Sequence, residues 1–263
     1  MTSPSLQNAL TSMFRVDARV ALVTGAGRGI GSAIAQFLAA AGAEVILVSR
    51  TAAELEAVAG LIETEGGRAL VRVCDVTDSA AMTALIDELP RLDILVNNAG
   101  KDIPEAFEEV TDEHLDELLA LNTRAVFVVA QAAVKKMLQD PDRGERGGVV
   151  INISSQHGHV GSPNRAAYCM TKHAVEGLTK AMAVELGPQR IRVNSIGPTL
   201  VDLPAARTVA DTPAKQDALV SRIPLGHMAT AADIAAAAVY LASPAAAMVT
   251  GTCLRVDGGW TAQ

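Results

Sequence analysis

The chain has 263 residues, of which 49% are hydrophobic and 19% charged, with a formal net charge of -7. This length and apolar content suffice for one α/β domain with a large core, and the acidic balance argues against a nucleic-acid or anionic-membrane surface. Cys74, Cys169 and Cys253 are widely separated, with no spacing for a zinc site or a disulfide framework, so the expectation is no metal, buried thiols and a reducing cytoplasm.

In chain order, 1–12 reads as a flexible tail, with no basic start and apolar run of a secretory signal, and 13–263 as a single domain. Short β-branched runs follow at Val20–Val23, Glu44–Val48, Ala69–Cys74, Ile94–Val96, Val149–Ile153, Arg190–Ser195 and Cys253–Val256, separated by Ala/Leu/Glu-rich helical stretches that include Glu113–Gln139 and Arg165–Leu186. Near-continuous apolar strands alternating with helices predict a Rossmann-like, doubly wound parallel sheet of seven strands with helices on both faces. Apolar stretches such as Ala231–Leu241 are far shorter than the ~20 residues of a spanning helix, so no membrane segment is predicted. The polar stretch Asp140–Gly148 reads as a surface turn. Gly197–Gly226 is irregular and carries Pro198, Pro204, Pro213 and Pro224; composition leaves open whether it covers a substrate or is an ordinary surface excursion.

The first strand runs into Thr24-Gly25-Ala26-Gly27-Arg28-Gly29-Ile30-Gly31, and a helix pattern starts at once. Glycines there permit positive φ and close approach of backbone to a pyrophosphate, and the helix N-terminus offers free amides. The spacing Gly-x-x-x-Gly-x-Gly, with Thr24 before it, resembles the short-chain dehydrogenase/reductase family. At the end of the second strand stand Ser49 and Arg50, with no carboxylate where a ribose diol would be held; Arg50 suits a 2′-phosphate, so NADP(H) is favoured and NAD(H) remains possible. Arg28 is placed to assist.

Tyr168 and Lys172 lie four apart on a predicted helix and therefore share a face. A cation at about 4 Å in an effective dielectric of ~20 contributes ~4 kcal/mol, enough to bring a phenol towards neutrality. Ser154 and Ser155 end the strand before that helix, and Asn97-Asn98-Ala99-Gly100 follows another strand end. Taken in order from Thr24 to Gly259, these motifs identify the chain as a member of the short-chain dehydrogenase/reductase family.

That resemblance implies Ser155 as the hydroxyl bonding the substrate oxygen, Tyr168 as acid/base, Lys172 as the cation that lowers its pKa and holds the ribose, and Asn122 as the fourth catalytic residue, positioning a water towards Lys172. It implies Asp75 and Val76 at the adenine, Asn98, Ala99 and Gly100 along the adenosine, and Pro198, Thr199 and Val201 near the nicotinamide. His157 is read with Ser155 and Tyr168 as pocket lining. His157 and His159 alone are thin evidence for a metal, and Trp260 reads as packing. Arg165 and Lys101 are open to an anionic substrate or to plain solvation. One departure stands out: Leu203 occupies the position of a Thr that usually contacts the carboxamide, with Thr199 as a compensating hydroxyl.

The function implied is interconversion of a ketone and a secondary alcohol on a small polar substrate (sugar, polyol, sugar acid or diketone). A 3-oxoacyl-thioester reductase is the enzymatic rival, and a catalytically silent nucleotide sensor the rival of another class. A homotetramer or homodimer is implied by analogy, with no nucleic-acid or membrane partner.

Overall fold

The computed structural model describes residues 5–141, 143–203 and 212–263. Seven strands, β1 (Val20–Thr24), β2 (Glu44–Ser49), β3 (Arg68–Val73), β4 (Ile94–Asn97), β5 (Gly148–Ile153), β6 (Ile191–Pro198) and β7 (Cys253–Val256), pair in the order β3-β2-β1-β4-β5-β6-β7. Every pairing is parallel. The predicted doubly wound sheet is therefore what forms, as a single domain.

Side-chain alternation along the strands builds two cores. Ala21 and Val23 of β1 face the layer of α2 (Gly29–Ala40), α3 (Ala52–Thr64) and, across the sheet, the Ala-rich helix Ala231–Ala242. Leu22 faces the opposite layer, where Met82 and Ile86 of α4 (Ser79–Asp87) pack with Val129, Ala133 and Met137 of the long helix that follows β4. That helix has three parts: α5 (Asp112–Leu119), a π-helical turn Ala120–Ala125, and α6 (Val126–Gln139). α7 (Ala166–Leu186) lies beside it, and α8 (Pro213–Val220) and α9 (Ala231–Ala242) precede β7.

Three sequence expectations change. Leu6–Met13 forms a helix, α1, where a loose tail is expected; Ser5 caps it by accepting a bond from the Asn8 amide (3.3 Å), and none of its residues is buried. Asp112–Gln139 is long and apolar enough to cross a membrane by length and composition, contrary to the expectation that no stretch is; half of its apolar window is buried inside the protein, where it packs on β4 and β5. β6 runs on to Pro198, three residues beyond its predicted end, because it pairs with β7 through Val256. Of the irregular segment 197–226, residues 204–211 lie outside the described residues.

Gly31 sits where α2 meets β1, and a Cβ there would lie 2.3 Å from the Gly25 carbonyl oxygen and 2.4 Å from Asn98 Nδ2. Gly31→Ala is expected to cost roughly 1–3 kcal/mol by overpacking. Gly60→Ala, in α3 with nothing within 4 Å of the added carbon, is expected to gain roughly 0.5–1 kcal/mol. Urea unfolding midpoints of the two variants check both signs.

Candidate active site

The sheet order reverses between β1 and β4, and the crevice at their carboxyl ends is where an open α/β sheet receives a ligand. Thr24, the last residue of β1, ties the two strand ends together: its hydroxyl accepts from the amides of Asn98 (3.0 Å) and Ala99 (3.1 Å). Asn98 Nδ2 donates back to the carbonyls of Thr24 (2.9 Å) and Gly25 (3.2 Å). Asn98 therefore braces the cradle, with its side-chain amide engaged there.

The turn itself fits a dinucleotide. Gly25 and Gly29 have φ of 64° and 58°, and a Cβ at Gly25 would lie 2.9 Å from Asn98 Nδ2. Arg28 caps α2 without a side-chain hydrogen bond, so the first amides of the helix are left to a bound anion. Ile30 packs against the core beneath the turn. At the other end of the crevice the Thr199 hydroxyl is buried without a hydrogen-bond partner among the described residues, directly after Pro198, and Val201 bridges to Ala229. An orphaned hydroxyl there suits a carboxamide. Leu203 lies against the turn instead, its Cδ1 3.3 Å from the position of a Cβ on Gly29.

At the end of β2, Gly27 lies close to Ser49 Oγ (3.2 Å from an added Cβ), with Arg28 and Arg50 at the same rim, 86% and 80% exposed. Sequence reasoning found no carboxylate here, but two approach through space. Glu54, at the start of α3, is 3.8 Å from Arg28, and Asp75 is 3.8 Å from Arg50. Asp75 is otherwise held by the Thr77 amide (2.9 Å) and hydroxyl (2.7 Å), and Val76 turns into the core.

The catalytic candidates converge from three elements. Ser155 follows β5 and accepts from the His157 amide (3.1 Å), which turns the chain into a short 3-10 segment. Tyr168 and Lys172 project from α7, with the ammonium 5.6 Å from the phenol ring centroid and donating to the Ile153 carbonyl (2.9 Å). Asn122 comes from the π turn, fully buried, its Oδ1 accepting from the Lys101 amide (3.0 Å) and its Nδ2 donating to the Lys101 carbonyl (2.8 Å) and Thr171 Oγ1 (3.2 Å). Gly100 joins this group to the cradle: a Cβ there would be 3.2 Å from Asn122 Oδ1 and 3.7 Å from Lys172 Nζ. The His157 ring stands edge-on to Tyr168 at 6.1 Å.

Burial governs the ionisation of this set. It pushes the Tyr168 phenol up, Asp102 adds to the rise, and hydrogen bonding with Ser155 opposes it. Burial brings Lys172 down to about 8, against the pull of Glu176 and Asp102. Burial, then Arg165 and Arg222, lower His157 to about 4.

Behind Lys172, one helical turn on, lies a buried polar network that sequence reasoning missed. Glu176, 5% exposed, accepts from Ser195 Oγ (2.8 and 3.0 Å), and His159 Nε2 (3.5 Å from the carboxylate) and Cys253 approach it. The only signal was its position four residues after Lys172, on the same helical face.

A family model described as enoyl-(acyl carrier protein) reductase matches residues 25–261. L-xylulose reductase of Bos taurus is 41% identical over 94% of this chain and 98% of its own. The chain belongs to the short-chain dehydrogenase/reductase family. D-threitol dehydrogenase of Mycolicibacterium smegmatis is also 41% identical, over 94% of this chain and 95% of its own. Among solved structures, a gluconate 5-dehydrogenase from Burkholderia cenocepacia in complex with NADP and tartrate superposes with a TM-score of 0.90 at 35% identity, covering 97% of this chain and 99% of that one. The chain is thus a nicotinamide-dependent oxidoreductase interconverting a ketone and a secondary alcohol.

A neutral, buried His157 has a stability consequence. Its ordinary value is 6.5 and its folded value about 4, so between these pH values the unfolded chain takes up a proton that the folded chain refuses. The stabilising contribution is present above 6.5 and lost as pH falls towards 4. His157→Gln is expected to make the acid-side loss of unfolding free energy shallower, by up to about one bound proton, as read from urea melts across that range.

Proposed function

We propose that the enzyme interconverts a small polyhydroxylated ketone and the corresponding secondary alcohol, with NADP(H) preferred over NAD(H). The observation that carries this is the meeting of Ser155, Tyr168, Lys172 and Asn122 beside a glycine cradle and an exposed Ser49–Arg50 rim. The bound nicotinamide supplies or accepts the hydride. Ser155 donates a hydrogen bond to the carbonyl oxygen, and Tyr168, held protonated by burial, gives its proton to the same oxygen during reduction. In the reverse direction the phenol oxygen takes the proton from the alcohol. Lys172, near 8, restores the phenol's proton and binds the ribose. Asn122, with its side chain fixed by Lys101 and Thr171, leaves the backbone of the π turn to hold a water towards Lys172.

Relatives named for xylulose, threitol and gluconate favour a sugar-type substrate over a 3-oxoacyl thioester. An intact Ser155, Tyr168 and Lys172 set disfavours a silent sensor. Exposed Phe127, Leu138, Met170 and Val184 on α6 and α7 support a homotetramer or homodimer built on those helices, and three free cysteines suit the cytoplasm.

Fluorescence titration with NADPH and NADH, followed by turnover of ketoses, polyols, keto acids and an acetoacetyl thioester, tests the reading; tight nucleotide binding with no turnover would remove the enzyme assignment. Tyr168→Phe is expected to lower kcat at least about a hundredfold with NADPH binding retained, measured by nicotinamide absorbance and titration. Arg50→Ala is expected to weaken NADPH roughly ten- to a hundredfold, the loss of a charge-assisted contact, with NADH changed little; equal losses would mean that Arg50 does not read the phosphate.

A further inference from the structure

On that reading of the site, we propose that Asp102 and Arg165 form a charge-neutral clamp beside Tyr168 that selects an uncharged polyhydroxy substrate over a sugar acid. Asp102 stands two residues after Gly100, on the loop leaving β4, and Arg165 is the N-cap residue of α7, three before Tyr168. Arg165 Nε donates to Asp102 Oδ2 at 2.6 Å, with the two side chains 15% and 35% exposed. The pair is thus partly withdrawn from water, Arg165 more than Asp102. Both members lie within electrostatic reach of the phenol, Asp102 pushing its pKa up and Arg165 down.

The pair has bonding capacity to spare. Arg165 Nη1 donates to the Asn164 carbonyl (3.1 Å), whereas Asp102 Oδ1 and Arg165 Nη2 have no hydrogen-bond partner among the described residues. One free acceptor and one free donor, side by side, match adjacent hydroxyls, each of which can give a proton to the carboxylate or accept one from the guanidinium. A substrate carboxylate meets the opposite situation. It must compete with Asp102 for Arg165 and bring a second negative charge against the first, and like charges in a partly desolvated site are strongly disfavoured.

Among the described residues, two other charged candidates do not offset that cost. Lys101 donates to both oxygens of Glu117 (2.8 Å each) and His157 is neutral above about 4, whereas Arg222, stacked on Trp260 at 4.3 Å, keeps its charge. The two cations that sequence left open to an anionic substrate, Lys101 and Arg165, are thus each matched by a carboxylate of the protein itself.

The test compares kcat/KM for L-xylulose and D-erythrulose with that for 5-oxogluconate at saturating NADPH, in the wild type and in Asp102→Asn and Arg165→Gln. The wild type is expected to favour the neutral ketoses by at least about tenfold. Asp102→Asn, which keeps the shape and frees Arg165, is expected to raise the ratio of oxogluconate to xylulose turnover by about tenfold or more, while Arg165→Gln lowers turnover of the ketoses without gaining the acid. NADPH titration of both variants shows that they fold. A wild-type preference for 5-oxogluconate, or an Asp102→Asn ratio unchanged within about twofold, would overturn the clamp while leaving the sugar-type oxidoreductase intact. Turnover of the acetoacetyl thioester alone would instead remove the substrate class on which the clamp rests. Because the wild-type ratio needs no variant, the proposal is decided even if a substitution unfolds the chain.

Discussion

The close approach of α2 to β1 at Gly31 sets the geometry on which the rest of the site depends. The Gly25 backbone and the Asn98 amide fill the space that a side chain would occupy, so helix, turn and the loop after β4 are held as one body. Thr24 and Asn98 exchange four hydrogen bonds with that body, which aligns the ends of β1 and β4 on either side of the crevice. The same close packing exposes the first amides of α2 to a phosphate and brings Gly100 against Asn122 and Lys172. Cofactor cradle and catalytic group are therefore one packing problem with one solution.

Within that frame the chemistry is set by desolvation as much as by pairing. Lys172 lies close enough to Tyr168 to favour its phenolate, and burial of both opposes this, moving the phenol up and the ammonium down. The surrounding carboxylates answer this: Glu176 from one turn along α7, and Asp102 from the loop after β4, keep the ammonium charged. Glu176 is in turn held by Ser195 on β6, so the state of Lys172 is tied to the strand on which α7 packs. Asp102 is shared between two roles, since its field reaches the phenol and the lysine while its oxygen holds Arg165.

The π turn at Ala120–Ala125 has a comparable logic. A regular helix would carry its polar residues outward, whereas the extra residue of the π turn puts Asn122 inside, against Lys101 and Thr171. The long apolar helix that contains it gives its stripe to the sheet, and the irregular turn is tolerated because Asn122 satisfies the backbone of the neighbouring loop.

Sequence by itself determined the strand number, the parallel doubly wound class and the glycine turn, and its resemblance to the family pointed to Ser155, Tyr168, Lys172 and Asn122 as the candidate set. These follow from local periodicity and from motifs that fix which residues lie on one face or at one strand end. Contacts between residues distant in sequence were decided only by the tertiary structure: Glu54 beside Arg28, the Asn98 brace, Leu203 over Gly29, the Glu176–Ser195–Cys253 cluster, and Asp102 with Arg165. The same holds for ionisation, because no spacing along a helix shows how much water a phenol or an ammonium loses when the other elements close over it. By contrast α1 was legible in the sequence, since its Ser5 cap is followed by Leu6, Ala9, Leu10 and Met13 on one helical face. Motif and periodicity are properties of neighbours along the chain, whereas pairing, crowding and desolvation are properties of neighbours in space.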